Sequence, residues 1–351
     1  MNSLQPDYKY RRQRLRNIVQ RGVVVLFKGS EHFNENLFYL TGLETFYTFA
    51  VISLESSFEC VLTNPIESPH IGNTPQLSDI RPISPDSLLS ELLSLLHALK
   101  PSEIYCETDL HSKTPLPSSI YAALSSSFDD VPISNIPSAL TRMRLTKDTY
   151  EIAVMRRGIE IVSNVFASLE EIIAPGISEM ELSAEIHRQL VRGGFNKFYD
   201  ICVASGPRSA IPYYRANNNL LPDSGVVMID IAAAVDNYVC DMTRTFPITG
   251  IFNEREQALH NLVVDVQETV IVDALPGTTL NVLNKRAFTI FSNHNLERYY
   301  YNKIGHFLGL GVDDQGENDV VLEKGMVVTI EPGLYLNHEG LGIRKEDMIF
   351  L

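Results

Sequence analysis

The chain has 351 residues, of which 44% are hydrophobic and 21% charged, an ordinary balance for a globular protein of about two domains. Its formal net charge of -14 and pI of about 5.1 argue against nucleic acid and anionic membrane as main partners and suit a site rich in carboxylates. No apolar run reaches membrane-spanning length, and the opening MNSLQPDYKYRRQRLRN lacks the apolar segment of a secretory signal. Cys60, Cys106, Cys202 and Cys240 show no paired spacing, so free thiols in a reducing, cytoplasmic setting are expected.

From the N-terminus, the spacing predicts a helix over 8–20 with Leu15 and Ile18 on one side and Arg11, Arg12, Arg14 and Arg16 on a solvated face. Val23 to Phe27 reads as a strand, and Leu37-Phe38-Tyr39-Leu40-Thr41-Gly42 as a short apolar run ending at a glycine turn. Phe49 to Leu54 and Phe58 to Thr63 read as paired strands around Glu55-Ser56-Ser57. The stretch 65–85 is loop-like, with five prolines. Leu88 to Leu99 has helical spacing, Glu103 to Cys106 reads as a strand and 112–117 as a loop. Alternating strands and helices make residues 1–138 a small α/β domain. It holds no clustered set of ligands or acid/base pairs. His32, His70, His97 and His111 are scattered, and the domain is expected to shape the approach to a site carried elsewhere.

The boundary falls at 135–138, and residues 139–351 form the second domain. Lys147 to Ile172 carries Ile152, Met155, Ile159, Val162 and Phe166 near the helical period, and Pro175-Gly176 stops it. Ser178 with Glu181 three residues on is a capping box for a helix running to Gly193-Gly194. Ile201 to Ala204 reads as a strand. Val226 to Ile229 is an apolar run that ends on Asp230, Asp236-Asn237 is turn chemistry, and Tyr238 to Phe246 alternates and carries Asp241. The two runs form a hairpin that sets both aspartates on facing strands near one level. Such carboxylates repel unless a divalent cation neutralises them. The plainer alternative is a surface hairpin with solvated aspartates. Helices follow at Glu254 to Ala274 and Asn281 to Phe291.

Gly305 to Gly311 sets His306 among glycines, where backbone can approach a ligand closely. Val327 to Ile330 reads as a strand ending at Glu331 before the Pro332-Gly333 turn, and Gly342 to Asp347, which includes Glu346, opens the last strand. Singly, His306 is more often a hydrogen-bonded core histidine and Glu331 a surface residue. Together Asp230, Asp241, His306, Glu331 and Glu346 offer four carboxylates and one imidazole. Two divalent ions balance that charge. Oxygen ligands with one nitrogen suit manganese, and also admit cobalt, iron or zinc. Two metals roughly 3.5–4 Å apart can share a hydroxide and clamp both ends of a hydrolytic displacement.

The segments ID…DMTRTFP, HFLGLGV, TIEPGLY and GIRKED resemble, in order and spacing, those of the Xaa-Pro peptidases of the pita-bread metallopeptidase family, the aminopeptidase P and prolidase group. The resemblance spans 146–351 and extends more weakly to LFYLTG in the first domain. It implies an α/β (α+β) chain: a small N-terminal α/β domain, then a duplicated catalytic fold around a curved antiparallel sheet. It makes Asp230, Asp241, His306, Glu331 and Glu346 the ligands of two metal ions, bridged by Asp241 and Glu346. It also makes Glu331 the general base, with Arg344 and Thr243 holding ligands in place. The implied substrate is a proline-containing peptide, and homo-oligomers are common in the family.

Three positions depart from the family pattern. Tyr213 stands where a histidine precedes a tyrosine, Asn302 where a histidine lies four residues before His306, and Asp313 where one lies seven residues after it. In the family those histidines bind substrate and stabilise the tetrahedral intermediate. An imidazole donates a proton near neutral pH, whereas tyrosine seldom ionises there and an ionised aspartate only accepts. Tyr213 and Asp313 therefore join Glu331 and Arg344 as candidate catalytic residues. The first expectation is a manganese-dependent hydrolase that cleaves the Xaa-Pro bond at the N-terminus of peptides, with low turnover. The alternatives are a metal-binding pita-bread protein that serves as a peptide- or partner-binding module, a prolidase acting on Xaa-Pro dipeptides, and a hydrolase of a non-peptide substrate on the same fold.

Overall fold

The computed structural model describes residues 5–30, 32–66, 76–77, 79–109, 115–199 and 201–351. The chain divides into two compact units, Met1–Arg144 and Leu145–Leu351. The division falls at the end of helix Ser138–Leu145.

In the first unit, β1 (Val23–Lys28), β2 (Thr48–Ser53), β3 (Glu59–Thr63), β4 (Ile80–Pro82), β5 (Ile104–Cys106) and β6 (Ile133–Asn135) form one sheet in the order β4-β3-β2-β1-β5-β6. The pairs β1–β2 and β2–β3 are antiparallel, and the other three are parallel. Helices Leu88–Leu99 and Ser118–Ser127 bury Leu92, Leu96 and Leu124 with Val25, Val51 and Leu62 of the sheet. The apolar run Leu37 to Thr41, which ends at the glycine turn, is helical. Asn34 caps helix Glu35–Thr41 by accepting from Leu37 N at 2.7 Å, and Gly42 ends it at φ 74°. His32 and His97 are exposed, His97 stacking on Phe128. His70 and His111 lie outside the described residues.

Helix Tyr8–Val19 corrects the expectation of a solvated basic face. Arg11, Arg12 and Arg16 are buried, while Arg14 and Ile18 are exposed. Arg12 grips Glu59 of β3 with Nε and Nη2 at 2.7 and 2.8 Å, and Arg16 Nη2 joins at 2.9 Å. Their remaining N–H groups reach the carbonyls of Leu40 and Ser53. Burial pulls the Glu59 carboxyl upward, but the hydrogen bonds from both guanidiniums outweigh it, and the group sits below its ordinary value.

In the second unit, helices Thr149–Leu169 and Glu179–Arg192 open on complete capping boxes, Asp148 with Glu151 and Ser178 with Glu181, each contributing about 1 kcal/mol. β9 (Val226–Val235) and β10 (Tyr238–Pro247) form the expected hairpin. Asp236 and Asn237 take φ of 49° and 66°, the left-handed pair that a two-residue type I′ loop requires. β7 (Lys197–Phe198) and β8 (Cys202–Ser205) both pair with β9. β11 (Val327–Ile330) pairs with β14 (Asp347–Phe350), and β12 (Gly333–Leu336) with β13 (Leu341–Arg344). The single last strand expected from Gly342 is therefore two strands. Lys345-Glu346 bends the chain between them, so that it leaves β12 and joins β11. Helices Glu254–Asp273 and Leu280–Asn293 bury Val263, Val266, Val270 and Phe291 with Val328, Ile330, Leu334 and Ile343.

All four cysteines are buried free thiols, and burial pushes those of Cys202 and Cys240 up to about 12, so neither is a ready nucleophile. Among the described residues no helix is long and apolar enough to cross a membrane.

Candidate metal centre

The β9–β10 register pairs Asp230 with Thr243 and Asp241 with Ala232. Residues 230 and 232 share one face of the strand, so the two aspartates share a face one diagonal step apart. β11 delivers Glu331 just past its end, and the bend between β13 and β14 delivers Glu346, whose N–H donates to Thr243 O at 3.1 Å. The His306 segment runs beside β11: Thr329 N donates to His306 O at 2.9 Å and Leu308 N to Val327 O at 3.1 Å. A Cβ on Gly305 would lie 1.9 Å from the Thr329 carbonyl oxygen. That glycine makes room for a neighbouring strand rather than for a ligand.

One donor atom from each of Asp241, His306 and Glu346 lies within 4.8 Å of the others. His306 Nε2 is 3.4 Å from Glu331 Oε1 and 3.8 Å from Asp241 Oδ2. Arg344, itself buried, donates from Nη2 to Asp230, from Nε to Thr243 Oγ1 at 3.0 Å, and from Nη1 to Tyr335 OH at 2.8 Å and the Pro212 carbonyl at 3.1 Å. Thr243 Oγ1 donates onward to Glu346 Oε2 at 2.7 Å. One guanidinium thus orders Asp230 directly and Glu346 through a hydroxyl.

The electrostatics of the cluster are out of balance. Burial, then Glu346, Asp230 and Glu331, push Asp241 well above its ordinary value. Burial, Glu331 and Asp230 do the same to Glu346, against Arg344 and Thr243. Glu331 is raised chiefly by burial, with His306, Arg344 and Asn302 opposing. Asp241 Oδ1 is buried and has no hydrogen-bond partner among the described residues. Leaving a buried acceptor unpaired costs about 1–3 kcal/mol. A divalent cation would repair that deficit, and several carboxylate oxygens with one imidazole nitrogen are a donor set that such ions accept.

The three departures from the resemblance fare differently. Asn302 Nδ2 donates to the Glu331 carbonyl at 2.8 Å and lies 3.4 Å from its Oε2, so a donor remains beside Glu331. Asp313 is 79% exposed, with Oδ1 3.7 Å from His306 Nδ1. Tyr213 is 87% exposed and makes no hydrogen bond among the described residues. The reason is local. Arg344 holds the Pro212 carbonyl, and Tyr214 OH donates to the fully buried Glu179 at 2.7 Å, which leaves the intervening ring in solvent. Sequence reasoning missed Glu179, which Ser205 and Arg208 also grip, and Gln267 behind the cluster. Neither belongs to a motif.

Hairpin, paired helices and carboxylate–histidine cluster together form the pita-bread architecture of the metallopeptidases. The chain belongs to metallopeptidase family M24, whose family model matches residues 153–351. It is similar to a Pyrococcus horikoshii protein named Xaa-Pro dipeptidase, 32% identical over 222 residues, which are 62% of this chain and 62% of that one. It is also similar to an Escherichia coli protein named Xaa-Pro aminopeptidase, 31% identical over 240 residues, 60% of this chain and 54% of that one. The matched part thus spans less than two thirds of these curated relatives. Among solved structures, the X-Pro aminopeptidase from Thermotoga maritima superposes with a TM-score of 0.85 at 26% identity, over 97% of this chain and 94% of that one.

Proposed function

We propose that the protein is a metal-dependent aminopeptidase that cleaves the bond between an N-terminal residue and proline. The observation that carries the reading is the cluster of Asp241, His306 and Glu346, with Glu331 beside His306 and Asp230 on Arg344, in which buried Asp241 Oδ1 has no partner among the described residues. Membership of family M24 and the relatives' names support the substrate class. Asp230, Asp241, His306, Glu331 and Glu346 would hold two divalent ions, with manganese the first choice for this donor set. When bound, the ions supply Lewis acidity toward the scissile carbonyl and acidify an attacking water. Glu331 would take the proton from the attacking water and return it to the departing proline nitrogen. Asn302 orients Glu331, and Arg344 with Thr243 fixes Asp230 and Glu346. No described residue of the first unit is given a catalytic role. A cytoplasmic setting accords with four buried free thiols.

The test is turnover of a peptide panel by manganese-loaded protein: Xaa-Pro dipeptides, longer Xaa-Pro peptides and matched Xaa-Ala peptides. Cleavage of longer Xaa-Pro peptides, lost on chelation and absent for Xaa-Ala, is expected. Cleavage confined to dipeptides moves the assignment to a prolidase. Cleavage indifferent to proline contradicts the substrate class.

A further inference from the structure

Gln267 sits midway along helix Glu254–Asp273 and is fully buried. It lies on the same stripe as Val263, Val266 and Val270, where an apolar side chain would satisfy the core. Its carboxamide instead points its nitrogen at three oxygens: the Ile330 carbonyl at 3.0 Å, the Lys345 carbonyl at 3.3 Å and Asp347 Oδ2 at 3.0 Å. The orientation is fixed, because a flipped amide would set Oε1 against three acceptors with no donor between them. Oε1 is left buried without a partner among the described residues. A glutamine is therefore a poor choice for packing alone.

The three acceptors share one property: each is next to a residue of the cluster. Ile330 precedes Glu331, and Lys345 and Asp347 flank Glu346. The same bend is gripped from the other side by Arg244 of β10. Its Nη1 donates to the Glu346 carbonyl at 2.6 Å and its Nη2 to Asp347 Oδ1 at 2.5 Å. Asp347 is thus shared between Arg244 and Gln267, and the backbone carrying each glutamate is tied to one carboxamide.

We infer that Gln267 is a positioning residue that sets the separation of Glu331 and Glu346 by tying the backbone beside each to one helix, and so sets how well the cluster holds a pair of cations. This rests on the proposed metal site. A group that fixes the geometry of ligands affects affinity by about 10–100-fold. A group that only fills the core affects the melting of the metal-free protein and leaves affinity alone.

The variant is Gln267→Met, which keeps length and bulk and removes both N–H groups. Two readouts are needed on metal-stripped protein: the thermal midpoint, and calorimetric titration with manganese(II). The expected result is a midpoint within a few degrees of wild type, because the unpaired Oε1 is also removed, with affinity for at least one ion lowered about 10–100-fold. The electron paramagnetic resonance spectrum of the loaded variant should show less of the coupled ion pair than wild type. Wild-type affinity for both ions with an unchanged coupled spectrum overturns the inference. If Gln267→Met does not fold, the partly exposed Asp347→Ala is read by the same criterion, since it removes the acceptor that Gln267 and Arg244 share. A wild type that binds no manganese overturns the proposed function and this inference with it. A wild type that binds two ions beside an unaltered variant overturns the inference alone.

Discussion

Two groups of buried carboxylates in this molecule titrate in opposite directions. In the first unit, Glu59 is buried among two guanidiniums and lies below its ordinary value. In the second, Asp241, Glu331 and Glu346 lie above theirs, because burial and mutual repulsion outweigh the single guanidinium of Arg344. Burial is common to both, so burial does not decide the sign. The supply of positive charge and donors does. The Glu59 cluster is complete within the chain. The Asp241 cluster has a buried oxygen with no donor among the described residues, and its deficit has the sign that divalent cations neutralise.

The largest effect expected from disturbing this contrast is on catalysis. Glu331→Gln should lower kcat on Xaa-Pro peptides by about 10²–10⁴. The metal-free variant should melt no lower than wild type, since a repelling charge has gone. Steady-state kinetics paired with a thermal melt checks both halves.

Next comes Arg12→Met. It removes the bidentate partner of a buried carboxylate, and breaking such a pair costs about 3–5 kcal/mol. Arg16 still reaches Glu59, so the lower end is expected in urea denaturation. The matching change in the other cluster, Asp241→Asn, should go the opposite way in metal-free protein and stabilise it by on the order of 1 kcal/mol. Destabilisation by both substitutions would remove the contrast.

The pH dependence is smaller and has a definite sign. Carboxyls whose folded values are raised keep protons that the unfolded chain has released, so their contribution to stability falls as pH rises above the ordinary values of 3.8 and 4.5. Glu59, being lowered, contributes above 4.5, and that contribution is lost as pH falls through its depressed value. The lowered carboxylates are ionised in both states between mildly acidic and neutral pH, and His260, lowered by burial, opposes alone among the described residues, so with three raised carboxyls the metal-free protein should melt higher at mildly acidic than at neutral pH. Manganese should reverse the order, because protons and metal compete for the same oxygens. Smallest of all, His32→Ala and His97→Ala should leave turnover within a few-fold, since both side chains are exposed in the first unit.

Local chemistry was legible in the sequence wherever neighbours in the chain decide it. Asp236-Asn237 marked a turn that takes two left-handed residues, the Ser178–Glu181 capping box formed in full, and Val327–Ile330 kept its ends. The family motifs marked residues that the fold then gathers from β9, β10, the His306 segment, the end of β11 and the β13–β14 bend. What stayed hidden depends on distant partners. Arg12 meets Glu59 across 47 residues, so its burial has no periodic signature. Gln267 finds its acceptors 63 to 80 residues away. The exposure of Tyr213 was hidden in the same way: motif order puts it in a histidine's place, and the anchors on Pro212 and Tyr214 leave its ring exposed.

The claim that joins these observations is that the Asp241 cluster is completed by cations from outside the chain. Metal analysis of wild type and Asp241→Asn, each stripped, loaded with manganese and dialysed, tests it most directly. The account predicts about two ions per chain in the wild type and loss of most of them in the variant. A wild type that emerges folded and metal-free contradicts it.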